Sequence, residues 1–247
     1  MTTAIGIDIG GTGIKGAIVD LATGALISDR VKRATPALAR PRDVVRIVRE
    51  VVTQIGADGR NDPVGICFPA VVRNGRTMSA ANVSEEWIGL DALALFSDAF
   101  GRSISIINDA DAAGLAEARL GAGRGVHGLI IMTTLGTGIG TALLYDGVLI
   151  PNSELGHLEI DGVDWETRAS FAAKERDNLD WGEWAARLNT FYQRLEALLC
   201  PELFVVGGGV SKNYSEFLPL LDLATPIVPA TYRNNAGILG AAAYAAG

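Results

Sequence analysis

The feature that most constrains this chain is a glycine-rich turn used twice: Asp8-Ile9-Gly10-Gly11-Thr12-Gly13-Ile14 near the start, and Leu135-Gly136-Thr137-Gly138-Ile139 half a chain later. An apolar run precedes each turn and another follows it, so each copy predicts strand-turn-strand. A P-loop or a Rossmann site would instead continue from its glycines into a helix. Glycine leaves backbone N–H groups uncovered by Cβ atoms, and a neighbouring hydroxyl adds a donor, so each turn can hold an anion. Two facing copies can grip one phosphate chain from both sides.

The surrounding pattern also runs through two cycles. Residues 4–9 and 14–20 read as strands, and Leu26 to Arg33 as a third. Pro41 to Ile55 sets Val44, Val48, Val51 and Ile55 on one helical face, widened by Val45 and Val52. Val64 to Phe68 reads as an apolar strand ended by Pro69, and Arg73-Asn74-Gly75-Arg76 as a hairpin turn. Asp91 to Phe100 predicts a helix closed by Gly101. Ser103 to Ile107 predicts a strand delivering Asn108 and Asp109 at its C-terminal end, then a small-residue helix from about Ala110 to Leu120, stopped by Gly121.

The second cycle starts near Gly128 with strand, glycine turn, strand, an Asp146-Gly147 turn and a further strand. A helix around Trp184 to Leu199 carries Trp184, Leu188, Phe191, Leu195 and Leu198 at core-facing spacing. Phe204 to Val206 predicts a strand running into Gly207-Gly208-Gly209, with a helix from about Ser211 whose N-terminus favours anions. The alanine-rich tail from Asn235 predicts a closely packed terminal helix. Two such cycles predict two α/β lobes with a cleft between them: residues 1–109, completed by the terminal helix 236–247, and residues 110–235.

At 247 residues, about half of them apolar, the chain can bury substantial cores. The formal net charge of −7 argues against a general nucleic-acid or anionic-membrane surface. A polyanionic substrate must therefore be held by local donors and a metal ion. Without a spanning segment or a secretory pattern, the expected location is the cytoplasm. Cys67 and Cys200 both lie in apolar sequence and read as buried core thiols. His127, in a glycine-rich connection, reads as structural or exposed.

Asp8 to Thr12 with Lys15, the second glycine turn and Gly207-Gly208-Gly209 together resemble the phosphate and nucleotide segments of the sugar-kinase, Hsp70 and actin fold, an α/β, ribonuclease H-like architecture of two lobes. Within it, Glu154-Leu155-Gly156-His157 resembles the E-x-G-H signature of the ROK family of sugar kinases and sugar-responsive repressors. The repressors carry a helix-turn-helix before the first strand, and only Met1 to Thr3 precede it here, so the kinase branch is expected. Most ROK kinases follow the histidine with a cysteine-rich zinc loop. Residues Leu158 to Glu166 hold no cysteine, so no structural zinc is expected. That stretch, with Asn108 to Arg119 and Thr225 to Ala230, is similar to the polyphosphate-using glucokinases and glucomannokinases of the family. One departure is Ala70 where the group usually has glycine after Pro69, a strained position if the backbone there needs positive φ.

The resemblance implies phosphoryl transfer from inorganic polyphosphate, and also from ATP, to the 6-hydroxyl of glucose or mannose. It implies Asp109 as the base, although spacing alone leaves Asp109 equally open as a helix N-cap. It assigns the hexose to Asn82, Asn108, Asp109, Glu154, His157 and Glu166. Phosphates fall to Gly10, Gly11, Thr12, Gly13, Gly136, Thr137 and Gly138, with Gly207, Gly208 and Gly209 lining the nucleotide or polyphosphate groove, aided by Lys212. Asp8 is expected to hold Mg²⁺ through water, and Lys15 either adds a phosphate-facing charge or is simply solvated. A homodimer is implied by the family alone. Two rivals stay open: a strictly ATP-dependent hexose or N-acetylhexosamine kinase, and a non-catalytic sugar sensor.

Overall fold

The computed structural model describes residues 3–80 and 83–247, and the chain divides into two compact units, Met1–Ala112 with Asn235–Gly247, and Ala113–Asn234. Unit 1 opens with β1 (Thr3–Ile9) and β2 (Gly13–Asp20), an antiparallel pair joined by the first glycine turn. The single third strand expected over Leu26 to Arg33 is instead two short ones, β3 (Ala25–Leu26) and β4 (Val31–Ala34), both paired with β2. Between them the Ser28 hydroxyl accepts the Ile18 N–H, replacing a ladder bond and letting the strand break.

Next come α1 (Pro41–Gln54), β5 (Val64–Phe68), the β6 (Val72–Arg73)–β7 (Arg76–Thr77) hairpin, α2 (Ala92–Phe100) and β8 (Ser105–Asn108). The hairpin turns through Asn74 and Gly75 at φ 50 and 77°, the left-handed pair of a type I′ turn. Helix α2 is capped by Asp91, whose carboxylate accepts the Ala94 N–H, and closed by Gly101 at φ 62°. The sheet order β3-β2-β1-β5-β8 has β1, β5 and β8 parallel. Helix α1 buries Val44, Val48, Val51 and Val52 as its apolar stripe requires, and Gly16 of β2 makes room for Val51.

Helix α3 (Asp109–Leu120) leads into unit 2, where β9 (Leu129–Leu135) and β10 (Ile139–Tyr145) repeat the glycine-turn hairpin and β11 (Val148–Ile150) follows. A small hairpin, β12 (Glu159–Ile160) and β13 (Val163–Asp164), precedes the short helices α4 (Glu166–Ala169) and α5 (Phe171–Arg176). Then come α6 (Trp181–Leu199), β14 (Leu203–Gly207), α7 (Tyr214–Phe217) and β15 (Ile227–Pro229). The sheet order is β11-β10-β9-β14-β15, with β9, β14 and β15 parallel, so each unit combines one glycine-turned antiparallel pair with parallel strands.

Helix α6 starts three residues before Trp184 because Asp180 and Glu183 form a reciprocal capping box. Trp184, Leu188, Phe191 and Leu195 are buried as expected, but Leu198 lies outside the core, 60% exposed, as the stripe drifts on the last turn. Cys200 is also exposed, not buried: it ends α6 in the left-handed conformation at φ 46°, which turns its side chain away from the apolar stripe. The buried Glu117 carboxylate is satisfied by three backbone N–H groups, from Ala122, Thr231 and Tyr232, at 2.7–3.0 Å. Among the described residues, no helix is long and apolar enough to cross a membrane.

The terminal helix α8 (Ala236–Ala245) returns to unit 1 and packs on β1 and β5. Contact is backbone to backbone. A Cβ on Gly6 would lie 1.9 Å from the Ile238 carbonyl oxygen, one on Gly65 1.8 Å from that of Ala241, and one on Gly240 1.7 Å from that of Ala112. None of these carbonyls can yield without moving a strand or helix, so Gly65→Ala is expected to destabilise by about 3 kcal/mol or more. Gly182→Ala, at the exposed start of α6 with its nearest neighbour atom at 3.4 Å, should stay within about 1 kcal/mol of the parent. Chemical-denaturation midpoints compare the two, and equal shifts would contradict the packing argument.

Candidate active site

Unit 1 holds the first glycine turn, Asp8 and Asp109. Asp8 lies near the end of β1, directly across the ladder from Lys15 of β2 and beside Cys67 of β5. Lys15 Nζ donates to Asp8 Oδ2 at 2.8 Å, with both side chains largely shielded, so Lys15 is paired rather than merely solvated. The Cys67 thiol donates to Asp8 Oδ1 at 3.5 Å. Burial, and then the charges of Asp8 and Asp109, push the Cys67 thiol well above its ordinary range, which keeps it a proton donor. A Cβ on Gly237, at the start of α8, would lie 2.9 Å from the Asp8 carboxyl carbon, so glycine there leaves room for the carboxylate.

The turn itself closes with the Gly10 N–H donating to the Gly13 carbonyl at 3.0 Å, and Thr35 Oγ1 donates to the Gly10 carbonyl at 2.5 Å. Neither glycine turn contains a left-handed residue. Their glycines serve close approach instead: the Lys32 side chain crosses Gly13 with Cε 2.6 Å from where a Cβ would stand. Gly11 and Thr12 are exposed. Lys32 was not legible from the sequence, because the pairing of β4 with β2 brings it there.

At the β8–α3 junction the capping left open for Asp109 falls mainly to its buried neighbour. Asn108 Oδ1 accepts the N–H groups of Ala110 and Asp111 at 2.8 and 3.1 Å, while its Nδ2 donates to the Ala70 carbonyl at 3.1 Å. Ala70 takes no positive φ, so the feared strain does not arise. Asp109 is the exposed first residue of α3, and its Oδ1 accepts the Ala110 N–H at 2.9 Å. Asn82 lies outside the described residues.

Unit 2 holds the second turn and the E-x-G-H segment. The Gly136 N–H donates to the Gly138 carbonyl at 3.0 Å, and the Gly136 carbonyl accepts the Ala172 N–H at 3.1 Å. Thr137 is exposed. Glu166 braces the same turn: Oε2 accepts the Ile139 N–H at 2.7 Å, and a Cβ on Gly138 would lie 2.5 Å from that oxygen. Glu154 precedes and His157 ends a single 3-10 turn (Leu155–His157) whose Gly156 presses on β10, where a Cβ would stand 1.9 Å from the Ile139 carbonyl oxygen. Desolvation, with Glu166 adding to it and His157 opposing it, raises the Glu154 carboxyl above its usual range.

His157 is not alone. Its Nδ1 lies 2.9 Å from Asp164 Oδ2, and that bond, with the charges of Glu166, Asp164 and Glu154, raises the imidazole above its ordinary value against an opposing desolvation. Asp164 escaped the sequence reading. The available signal was the Asp161-Gly162 dipeptide, which forms a left-handed turn at φ 53 and 75° and folds β13 back along β12. His127, by contrast, is 96% exposed.

Gly207 ends β14, and Gly208 at φ 82° sits against Leu135, where a Cβ would stand 2.3 Å from the carbonyl oxygen. The regular helix expected from Ser211 is absent. A 3-10 stretch (Gly209–Asn213), the four-residue α7 and another 3-10 turn (Leu218–Leu220) take its place, since Pro219 supplies no N–H to a continuing helix. The anion preference expected of a helix N-terminus here therefore loses its support, and Lys212 lies within the 3-10 stretch.

Among the described residues, no three His, Cys, Asp or Glu side chains gather as a metal cage. Asp8 is a single carboxylate beside the first glycine turn, a donor set that fits a Mg²⁺ ion held by one carboxylate, substrate phosphates and water.

Residues 4–173 match the model of the ROK family. The chain is 46% identical over 238 residues to a polyphosphate glucokinase of Mycobacterium tuberculosis (strain CDC 1551 / Oshkosh), covering 96% of this chain and 89% of the relative. The inorganic polyphosphate/ATP-glucomannokinase from Arthrobacter sp. strain KM has a similar structure, with a TM-score of 0.92, 52% identity, and 100% and 99% of the two chains covered. A ROK family glucokinase from Streptomyces griseus, solved with glucose and AMPPNP, superposes with a TM-score of 0.82 at 25% identity over 98% and 99% of the chains. With its turns, its E-x-G-H segment and most of its length matched in this way, the chain belongs to the ROK family and has the α/β fold of that family's sugar kinases.

Proposed function

We propose that this protein is a kinase that transfers a phosphoryl group from inorganic polyphosphate, and also from ATP, to the 6-hydroxyl of glucose and of mannose. The observation that carries this reading is similarity along nearly the whole chain to a polyphosphate glucokinase and a polyphosphate/ATP-glucomannokinase. Its setting is a cytoplasmic homodimer, which light scattering on the purified protein tests.

Phosphoryl transfer through a loose transition state asks for positioning and charge stabilisation more than for covalent chemistry. Asp109, fixed by a strand on one side and a helix on the other, orients the sugar hydroxyl and accepts its proton late in transfer. Asn108, Glu154, His157 and Glu166 pair the hexose hydroxyls, with Asn82 alongside them. Gly10 to Gly13 hold the transferred phosphate, Gly136 to Gly138 the next units, and Gly207 to Gly209 the remainder of the donor. Asp8, with Lys15 and Cys67 fixing its carboxylate, would hold Mg²⁺ through water, and the ion when bound would supply charge neutralisation to the phosphates. Lys32, beside Gly13, adds a cation to the first turn.

Asp109→Asn is expected to keep glucose binding and lose roughly 10²–10⁴-fold in kcat. Titration calorimetry and product formation check the two halves of this statement, and near-normal turnover would remove Asp109 from the role. Lys32→Ala should raise the KM for polyphosphate about tenfold while leaving that for glucose unchanged. By analogy with counterion release from nucleic acids, polyphosphate KM should climb with ionic strength and glucose KM should not. The decisive assay compares polyphosphate with ATP as donor to glucose in the presence of Mg²⁺; absence of transfer from polyphosphate would leave the ATP-only kinase.

A further inference from the structure

Asp164 makes two side-chain bonds that serve different ends. Its Oδ1 accepts the Glu166 N–H at 3.1 Å, setting the first turn of α4, and its Oδ2 meets His157 Nδ1 at 2.9 Å. The β12–β13 hairpin fixes this encounter: Glu159 pairs with Asp164, Ile160 with Val163, and the Trp165 N–H donates to the Leu158 carbonyl at 3.1 Å. Glu166, seated by Asp164, continues to the Ile139 N–H of the second glycine turn. One carboxylate thus joins the E-x-G-H histidine to the segment carrying Glu166.

An ionised carboxylate only accepts, so the Nδ1 contact places a proton on Nδ1 and leaves Nε2 as an acceptor in the neutral ring. The pair is 53% and 39% exposed, and an exposed ion pair contributes little to stability, so its worth lies in the orientation it imposes. We infer that Asp164 is a positioning residue for the hexose: it holds the neutral His157 ring as its Nδ1–H tautomer and aims Nε2 to accept a sugar hydroxyl. With Glu154 and Glu166 beside it, this rim of unit 2 then presents acceptors to a polyhydroxylated ring, each hydroxyl supplying the proton. The inference rests on the hexose-kinase reading, but the ring state itself can be measured without turnover.

The protein has two histidines, so ¹⁵N–¹H correlation spectra of the imidazoles are simple, and His127→Gln leaves His157 alone. At alkaline pH, where the ring is neutral, the parent should show the Nδ1–H pattern. Asp164→Asn can still accept from the Glu166 N–H while its amide donates to Nδ1, so the variant should fold and shift to the Nε2–H pattern. In that variant the His157 titration should move to lower pH, with Glu154 and Glu166 the remaining charges facing it. KM for glucose should rise about tenfold with that for polyphosphate unchanged.

An Nε2–H ring in the parent, a variant with unaltered tautomer, or a switched tautomer with unchanged glucose KM would each overturn the inference. If the parent moves no phosphate to glucose, the function reading fails. The tautomer and a direct sugar titration by NMR still decide the role of Asp164: the inference stands only if the parent ring is Nδ1–H and the Asn variant binds the sugar more weakly.

Discussion

The structure of unit 1 depends on one close approach, that of the α8 backbone to the strands beneath it. Gly6, Gly65 and Gly240 are each within a distance that excludes any side chain, and Gly237 extends the same contact toward Asp8. Glycine in a strand or helix interior sacrifices propensity, roughly 0.5–1 kcal/mol each relative to alanine. What is gained is dispersion contact along a helix face and a fixed floor under the end of β1. Because Asp8 and Cys67 stand on that floor, the glycine turn at the end of β1 inherits its placement from the packing of α8 against the same face of the strand.

The two units solve the same problem with different braces. In the first, the carboxylate beside the turn is held by a lysine across the ladder and a buried thiol. In the second, a glutamate from a later helix reaches the turn, and its own start is seated by Asp164. The first arrangement comes from neighbouring strands and is rigid by construction. The second depends on a two-stranded hairpin with only two residues per strand, so side-chain bonds carry proportionally more of its geometry.

Much of this was legible in the sequence, for identifiable reasons. Apolar periodicity located α1 and α6, and the positive-φ residues at Asn74-Gly75 and Asp146-Gly147 announced their turns. Asp8, Asp109 and the E-x-G-H pair stood out through the family resemblance, since spacing alone left Asp109 equally open as a helix cap. What escaped depended on contacts between distant segments. Lys32 reaches Gly13 only through the β4–β2 register, and Asp164 reaches His157 only once its hairpin closes. Glu117, to which the sequence reading gave no role, is buried under amides from a loop more than a hundred positions on. Cys200 and Leu198 erred the other way, since hydropathy ignores how a helix ends.

The return of α8 to the first sheet also has a bearing on how the molecule is made. During synthesis the strands of unit 1 emerge well ahead of the helix that covers them, and all of unit 2 is translated in between. A nascent chain therefore carries an open, glycine-studded sheet face until its partner arrives, while unit 2 has every segment it needs to close earlier. Biogenesis should accordingly run in reverse of reading order, with the amino-terminal half maturing second and remaining the portion most in need of chaperone cover.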